Sequence, residues 1–196
     1  QSAKDLGEFE PQFQTLARTA AAMSPAQGEN ASRAEKDLYF KLRTLNRQIV
    51  LSNPLLNFDD IIFNRWTSSY GHVQECWGST VLDEGGLYVT SGLRSDRPRL
   101  RNLLEDSRFT NGPWKGQKIL ELGKAVRSFD LAYDGTKVVF AWVHRRSRKH
   151  RIATVNTDGS DLCLLTQGQY EDLDPVWLPN GRIALVSTRA EITVRC

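Results

Sequence analysis

The sequence predicts a mainly β protein that begins with two amphipathic α-helices and continues as a series of similar sheet-forming units. Three observations predict this class: apolar residues at helical spacing before residue 53, short runs rich in Val, Ile, Leu and aromatic residues after it, and glycine-bearing turns between those runs. Hydrophobic residues make up 40% and charged residues 25% of the 196 residues, a balance typical of a globular domain and not of a disordered tail.

The region 1–53 is predicted to be a helical segment that contains a polar linker. The first helix is indicated by apolar residues that share one helical face, namely Phe9, Phe13, Leu16 and Ala20. Ser24-Pro25 is predicted to end it, and the linker "SPAQGENAS" follows.

The second helix is predicted to begin at Ser32, because Ser32 and Glu35 have the S-x-x-E spacing of a capping box. A stripe of apolar residues follows at Leu38, Leu42, Leu45 and Ile49. We expect this stripe to be a packing face and the helix to end at Asn53-Pro54, since proline disfavours helical geometry in the residue before it.

Residues 54–196 are predicted to form a domain of short strands. The strand-like runs are "DIIFNRW" (60–66), "GLYVTSG" (86–92), "KVVFAWV" (137–143), "RIATVN" (151–156), "LCLLT" (162–166) and "RIALVS" (182–187). The segments "EGG", "YDG", "TDG" and "PNG" separate them and supply the positive-φ positions of tight hairpin turns.

The turns recur with a period that is typical of β-propeller blades. Gly86, Gly135 and Gly181 each precede an apolar strand and are separated by 49 and 46 residues. We therefore expect about three blades, at approximately 54–115, 116–168 and 169–196. Because propellers close with about four to eight blades, we expect an incomplete propeller from the front part of a longer protein. A three-blade unit that dimerises into a ring is the other interpretation.

Several motifs resemble known propeller families. The segment "TVNTDGSDLCLLTQG…EDLDPVWLPNGRIALVS" resembles the TolB-type, WD40-like propeller repeat over residues 152–187. In order along the chain, "NPLLNFDDIIF", "RNLLEDS", "GPWKGQKI", "DLAYDGTKVVFAW" and "DPVWLPNGRIALVS" resemble the propeller-containing part of hydrazine synthase alpha subunit-like bacterial proteins. This resemblance implies a six-bladed propeller in a larger exported protein, and hence a periplasmic or secreted location.

Two functions follow from the resemblance. The first is a non-catalytic binding or scaffold region that holds other domains of the same chain or a protein partner. The second is the propeller portion of a multihaem c-type oxidoreductase, in which haem c is attached at CxxCH motifs outside this chain. No CxxCH or CxxC is present here, so we expect no cofactor in this chain, and the resemblance transfers the fold and not the activity.

His72 and Cys76 are a candidate metal or haem-pocket pair. On a helix their four-residue spacing would place both on one face, within reach of one metal ion. On a strand they would lie about 13 Å apart, which is too far to share a metal. A core cysteine beside a polar histidine is the structural alternative. Cys163 and Cys196 carry no motif.

The segment "HRRSRKHR", residues 144–151, contains five Arg and Lys residues and two His residues. The five cations are a candidate binding patch for an anionic partner. They are Arg145, Arg146, Arg148, Lys149 and Arg151. The alternative is a solvated hairpin tip between two strands. Nucleic acid is disfavoured as the partner because no aromatic residue is interleaved for base stacking.

Glu171, Asp172 and Asp174 beside Pro175 could serve acid–base chemistry or bind calcium, but their place in the repeat favours a turn at a blade edge. Trp177 is predicted to fill the space between blades. No nucleophile elbow, H-E-x-x-H, P-loop or dinucleotide motif is present, so the sequence contains no recognisable catalytic set. No apolar run is long enough to span a membrane, and the net charge of +3 does not by itself indicate nucleic-acid binding.

Overall fold

A computed structural model describes residues 6–23, 31–66, 85–95 and 97–190. The chain divides into two compact units. The first consists of residues 1–59 and 92–98, and the second consists of residues 60–91 and 99–196.

The first unit is helical. A short 3-10 turn, Leu6–Phe9, leads into α1 (Glu10–Ala22), and α2 spans Arg33–Leu51. Leu16 of α1 and Leu45 of α2 are buried, at 7% and 2% exposure.

The predicted capping box at the start of α2 is confirmed. The Glu35 backbone N–H donates to Ser32 Oγ at 3.2 Å, and the Ser32 N–H donates to Glu35 Oε2 at 2.6 Å. At the other end of α2, the carbonyl oxygen of Leu51 has no hydrogen-bond partner within the helix. The Arg94 guanidinium donates to this oxygen and also to the carbonyl oxygen of Leu56.

The predicted stripe on α2 is buried only in part. Leu45 is covered, whereas Leu42 of the same stripe remains 37% exposed. Within the described part of this unit, the helices therefore bury a narrower face than the sequence pattern indicates. No helix in the described ranges is long and apolar enough to cross a bilayer.

The described residues of the second unit form nine strands in three antiparallel sheets. In chain order they are β1 (Ile61–Trp66), β2 (Gly85–Ser91), β3 (Arg99–Asn102), β4 (Val126–Leu131), β5 (Lys137–Val143), β6 (His150–Asn156), β7 (Cys163–Leu164), β8 (Asp172–Trp177) and β9 (Ile183–Ser187). The sheet orders are β1-β2-β3, β4-β5-β6-β7 and β8-β9, so each sheet is a simple meander of sequential strands. A one-turn helix, α3 (Ile119–Leu122), lies between the first two sheets in sequence.

Strand β5 of the middle sheet is buried on both faces. On one face Val138, Phe140 and Trp142 join the main apolar cluster, which includes Leu87 and Val89 of the first sheet. On the other face, Val139 and Ala141 form a second cluster with apolar side chains from the third sheet, which are Trp177, Ile183 and Leu185. Since successive side chains of a strand point to opposite faces, the middle sheet packs between the other two.

The first strands of successive sheets are also joined by hydrogen bonds. Asn64 of β1 donates its side-chain amide to the Arg127 carbonyl oxygen of β4 at 2.9 Å. The backbone N–H of Trp177 in β8 donates to Asp130 Oδ2 of β4 at 2.7 Å. Each sheet thus meets the next through its first strand as well as through its apolar face.

Strand β8 is irregular. Its pairing with β9 shifts register between Leu173 and Val176, and Asp174 within the shift has a φ of +46°. Together with Pro175, this extra residue forms a bulge in the strand. The sequence interpretation of the acidic segment as a turn is therefore wrong, because Asp172–Trp177 is a bulged strand.

The predicted class is confirmed at the level of two helices followed by three small antiparallel sheets. Strands β3, β4 and β8 were absent from the predicted runs. The described residues do not contain a closed propeller, so the propeller itself stays a prediction.

Candidate functional site

The predicted cation patch lies at the tip of the hairpin that joins β5 and β6. Arg145, Arg146 and Arg148 are exposed, and their guanidinium groups form no ion pair within the described part of the chain. Lys149 is less exposed, and its Nζ lies 3.0 Å from Glu171 Oε1. Three of the five predicted cations therefore combine exposure with unneutralised charge.

The backbone of this tip is tightly turned. The Arg148 N–H donates to the His144 carbonyl oxygen at 2.9 Å, and the His144 N–H donates to that of Lys149 at 3.2 Å. The Ser147 N–H donates to His144 Nδ1 at 3.2 Å, so the imidazole closes the turn as an acceptor. Arg148 itself has a φ of +53°, a left-handed conformation that residues with a Cβ rarely adopt.

Three other described hairpin turns contain a left-handed glycine, and the turn after β6 also contains Asp161 at a φ of +51°. Gly135, Gly159 and Gly181 have φ values of +73°, +96° and +78° in the turns after β4, β6 and β8. Arg148 departs from this pattern, because it accepts backbone strain that glycine would avoid.

Arg151 does not belong to the exposed patch. Its side chain is 5% exposed, and its guanidinium donates to the carbonyl oxygens of His150 and Tyr170 at 2.9 and 2.8 Å and to that of Gly168. It thus fixes the segment before β8 against β6, which is a structural role. Its carbonyl partners explain how a buried guanidinium is tolerated.

His144 lies at the base of the tip, in an aromatic cluster. Its ring stacks on Trp114 with centroids 4.7 Å apart and meets Trp142 edge-on at 5.8 Å. Trp142 Nε1 donates to the Gly123 carbonyl oxygen at 2.9 Å. Burial and the positive charges of Arg151 and Arg146 lower the pKa of His144 below its usual value.

His150 and Glu171 form a second buried pair. Glu171 Oε2 accepts from the His150 backbone N–H and lies 2.8 Å from its Nδ1. Burial lowers the pKa of His150, and its hydrogen bond to the Glu171 carboxylate opposes that shift only in part. For Glu171, burial is outweighed by hydrogen bonds from His150 and Lys149, which lower its pKa. The carboxylate thus joins the base of the hairpin to the segment that enters β8.

Asp172 is fully buried and satisfied. Its oxygens accept from Ser187 Oγ at 2.7 Å and from Arg189 Nη2 at 2.6 Å. Burial raises its pKa, but the hydrogen bonds from Ser187, Thr166 and Arg189 outweigh that effect and lower it. These carboxylates act as structural acceptors, and the described residues contain no group of three or more potential metal ligands.

The cysteine candidates are less informative. His72, Cys76 and Cys196 lie outside the described residues. Cys163 is a half-buried free thiol on β7, 3.0 Å from Thr110 Oγ1.

Sequence reasoning missed three residues around the tip. Trp114 lies against His144, although 30 residues separate them in the chain. Lys115 follows it and is exposed. Lys124 is also exposed. Its segment lies against the base of the hairpin, because the Val143 and Arg145 N–H groups donate to the carbonyl oxygens of residues 125 and 122. No local pattern in the sequence could have revealed this proximity.

No protein-family model matches the chain, and no curated protein matches its sequence.

Proposed function

We propose that residues 60–190 form part of a β-propeller and act as a non-catalytic binding scaffold within a larger exported bacterial protein of the hydrazine synthase alpha subunit-like type. The observation that carries this proposal is the middle sheet, whose strand β5 is covered on both faces by its neighbours. A propeller blade has this environment, because its sheet cannot bury two apolar faces without a blade on either side.

The arrangement of strands supports the same interpretation. Each of the three sheets is an antiparallel meander, and hydrogen bonds from Asn64 and to Asp130 connect their first strands. In a propeller the first strands of successive blades follow one another around the central axis. Trp177 packs on Val139 and Ala141, as expected for an aromatic residue between blades.

The third sheet offers an apolar face to a further blade. Ile183 and Leu185 of β9 pack inward, whereas Val186, which faces the other side of the strand, is 59% exposed and Val176 of β8 is 44% exposed. An exposed face of this kind on a small sheet is a site for protein contact. In the proposed scaffold, the next blade or a protein partner covers it.

The proposal is tested by the association state of the chain. We expect concentration-dependent self-association in light scattering, and we expect Val186→Asp to reduce it because a charge would be buried in the contact. Val50→Asp is the matched control, since Val50 is 49% exposed on α2 of the other unit. A chain that is monomeric at all concentrations, or equal effects of the two variants, would contradict the proposal. A haem absorption band in the longer natural protein would favour the multihaem alternative.

A further inference from the structure

We propose that the tip of the β5–β6 hairpin is a docking surface for an acidic segment of a partner protein. The surface consists of Arg145, Arg146 and Arg148. Exposed Lys124 belongs to the segment 122–125, whose carbonyl oxygens accept from the base of the hairpin. This inference adds a partner class to the proposed scaffold, but it does not depend on the number of blades.

The charge of the tip is available for a partner. The three arginines have no ion-pair partner in the described chain, and both oxygens of the adjacent Glu171 carboxylate are already used by Lys149 and His150. The exposed Glu121 precedes Leu122, whose carbonyl oxygen accepts from the Arg145 N–H. One carboxylate against three arginines leaves a net positive charge at the tip. Guanidinium groups bind carboxylates through paired, parallel N–H donors, which suits Asp and Glu side chains.

The strained backbone at position 148 indicates that the arginine side chain there has a functional role. Among the described hairpins, the turns after β4, β6 and β8 each contain a left-handed glycine, and the turn after β6 also contains Asp161 at a φ of +51°. The β5–β6 turn contains no glycine, and its left-handed residue is Arg148 at a φ of +53°. Strain of this kind is commonly found at functional positions, where the side chain is retained despite its cost. The left-handed residue directs a third cation outward from a turn that already presents Arg145 and Arg146.

Other anionic partners fit less well. Single-stranded nucleic acid requires open aromatic faces, but Trp114 is stacked on His144 and its neighbours include Phe109 and Trp142. A membrane surface usually engages apolar side chains beside the cations, and residues 145–149 contain none. An acidic peptide needs only the exposed guanidinium and ammonium groups.

The direct test is fluorescence anisotropy of a short, labelled oligoglutamate peptide with the whole chain. We expect saturable binding that weakens steeply with salt. Replacing the three arginines (R145Q/R146Q/R148Q) should weaken it by about tenfold or more, because each exposed ion pair contributes a factor of about two to five. The matched control removes three exposed arginines elsewhere and is R18Q/R33Q/R182Q.

Equal losses in the two triple variants would overturn the inference, because binding would then follow net charge alone. So would unchanged binding in the tip variant. A single-stranded oligonucleotide or anionic lipid vesicles that bind the tip more tightly than the peptide would overturn the partner class. Arg148→Gly relieves backbone strain and should still lose about two- to fivefold in affinity, which separates binding from folding. The effect of Val186→Asp on self-association tests the proposed scaffold and does not depend on any of these peptide-binding results.

Discussion

Replacing Val139 with alanine tests directly whether the third sheet packs on the middle one. Val139 is fully buried against Trp177, Ile183 and Leu185. The substitution removes two carbons, which corresponds to about 1.6 kcal/mol of lost burial at ~0.8 kcal/mol each, and the cavity raises the cost to about 2–3 kcal/mol. We expect the free energy of unfolding to fall by this amount.

Two other valines calibrate the measurement. Val138 is equally buried on the opposite face of β5, so Val138→Ala should cost about the same 2–3 kcal/mol through the main cluster. Val186→Ala controls for strand propensity at an exposed position and should change stability by less than about 0.5–1 kcal/mol.

Urea denaturation followed by tryptophan fluorescence is the suitable assay, because Trp114, Trp142 and Trp177 lie in the described part of the sheet unit. The midpoint reports stability, and an unchanged slope confirms that the variants unfold the same structure. A Val139→Ala variant as stable as Val186→Ala, with Val138→Ala strongly destabilised, would refute the packing of the third sheet. The argument for blade-like stacking would then fail with it.

Three further predictions concern the hairpin and its base. Arg148→Gly should stabilise the chain by about 0.5–1 kcal/mol, since about 1–2 kcal/mol of left-handed strain outweighs the added entropy of glycine; a lower melting temperature would contradict this. Burial lowers the pKa values of His144 and His150 from 6.5, so the unfolded chain binds more protons. Stability should therefore be full above pH 6.5 and fall as the pH drops below it; urea midpoints that stay constant from about pH 7.5 to 5 would exclude this linkage. Asp172→Asn should cost about 1–3 kcal/mol because a buried charge-assisted acceptor is lost, and an unchanged urea midpoint would show that its contacts contribute little.

The elements that sequence reasoning predicted well are determined by local interactions. The capping box of Ser32 and Glu35 involves residues three positions apart. The turn at Gly135 directly precedes the apolar run of β5, so this turn and the strand after it were predicted, whereas β4 before it was not. The span of β5 was predicted to the residue, because its uninterrupted apolar run ends at a charged tip.

The elements that were missed depend on distant partners. Strand β8 contains Pro175 and two carboxylates, a local signal for a turn, but pairing with β9 and the hydrogen bond from the Trp177 N–H to Asp130 hold it extended. The burial of Arg151 could not be predicted from the sequence either. Its burial depends on carbonyl groups 17 and 19 residues away, whereas Arg145, Arg146 and Arg148 of the same charged segment are exposed.

The bulge in β8 determines where this sheet can grow. Trp177 already donates its N–H to Asp130, and Pro175 has no N–H, so at these two positions β8 has no backbone donor free for another strand. An incoming strand, from a neighbouring molecule or an aggregate, would find an incomplete ladder there. We therefore expect an added strand to pair with β9 and not with β8, so the third sheet can be extended at one of its two edges only.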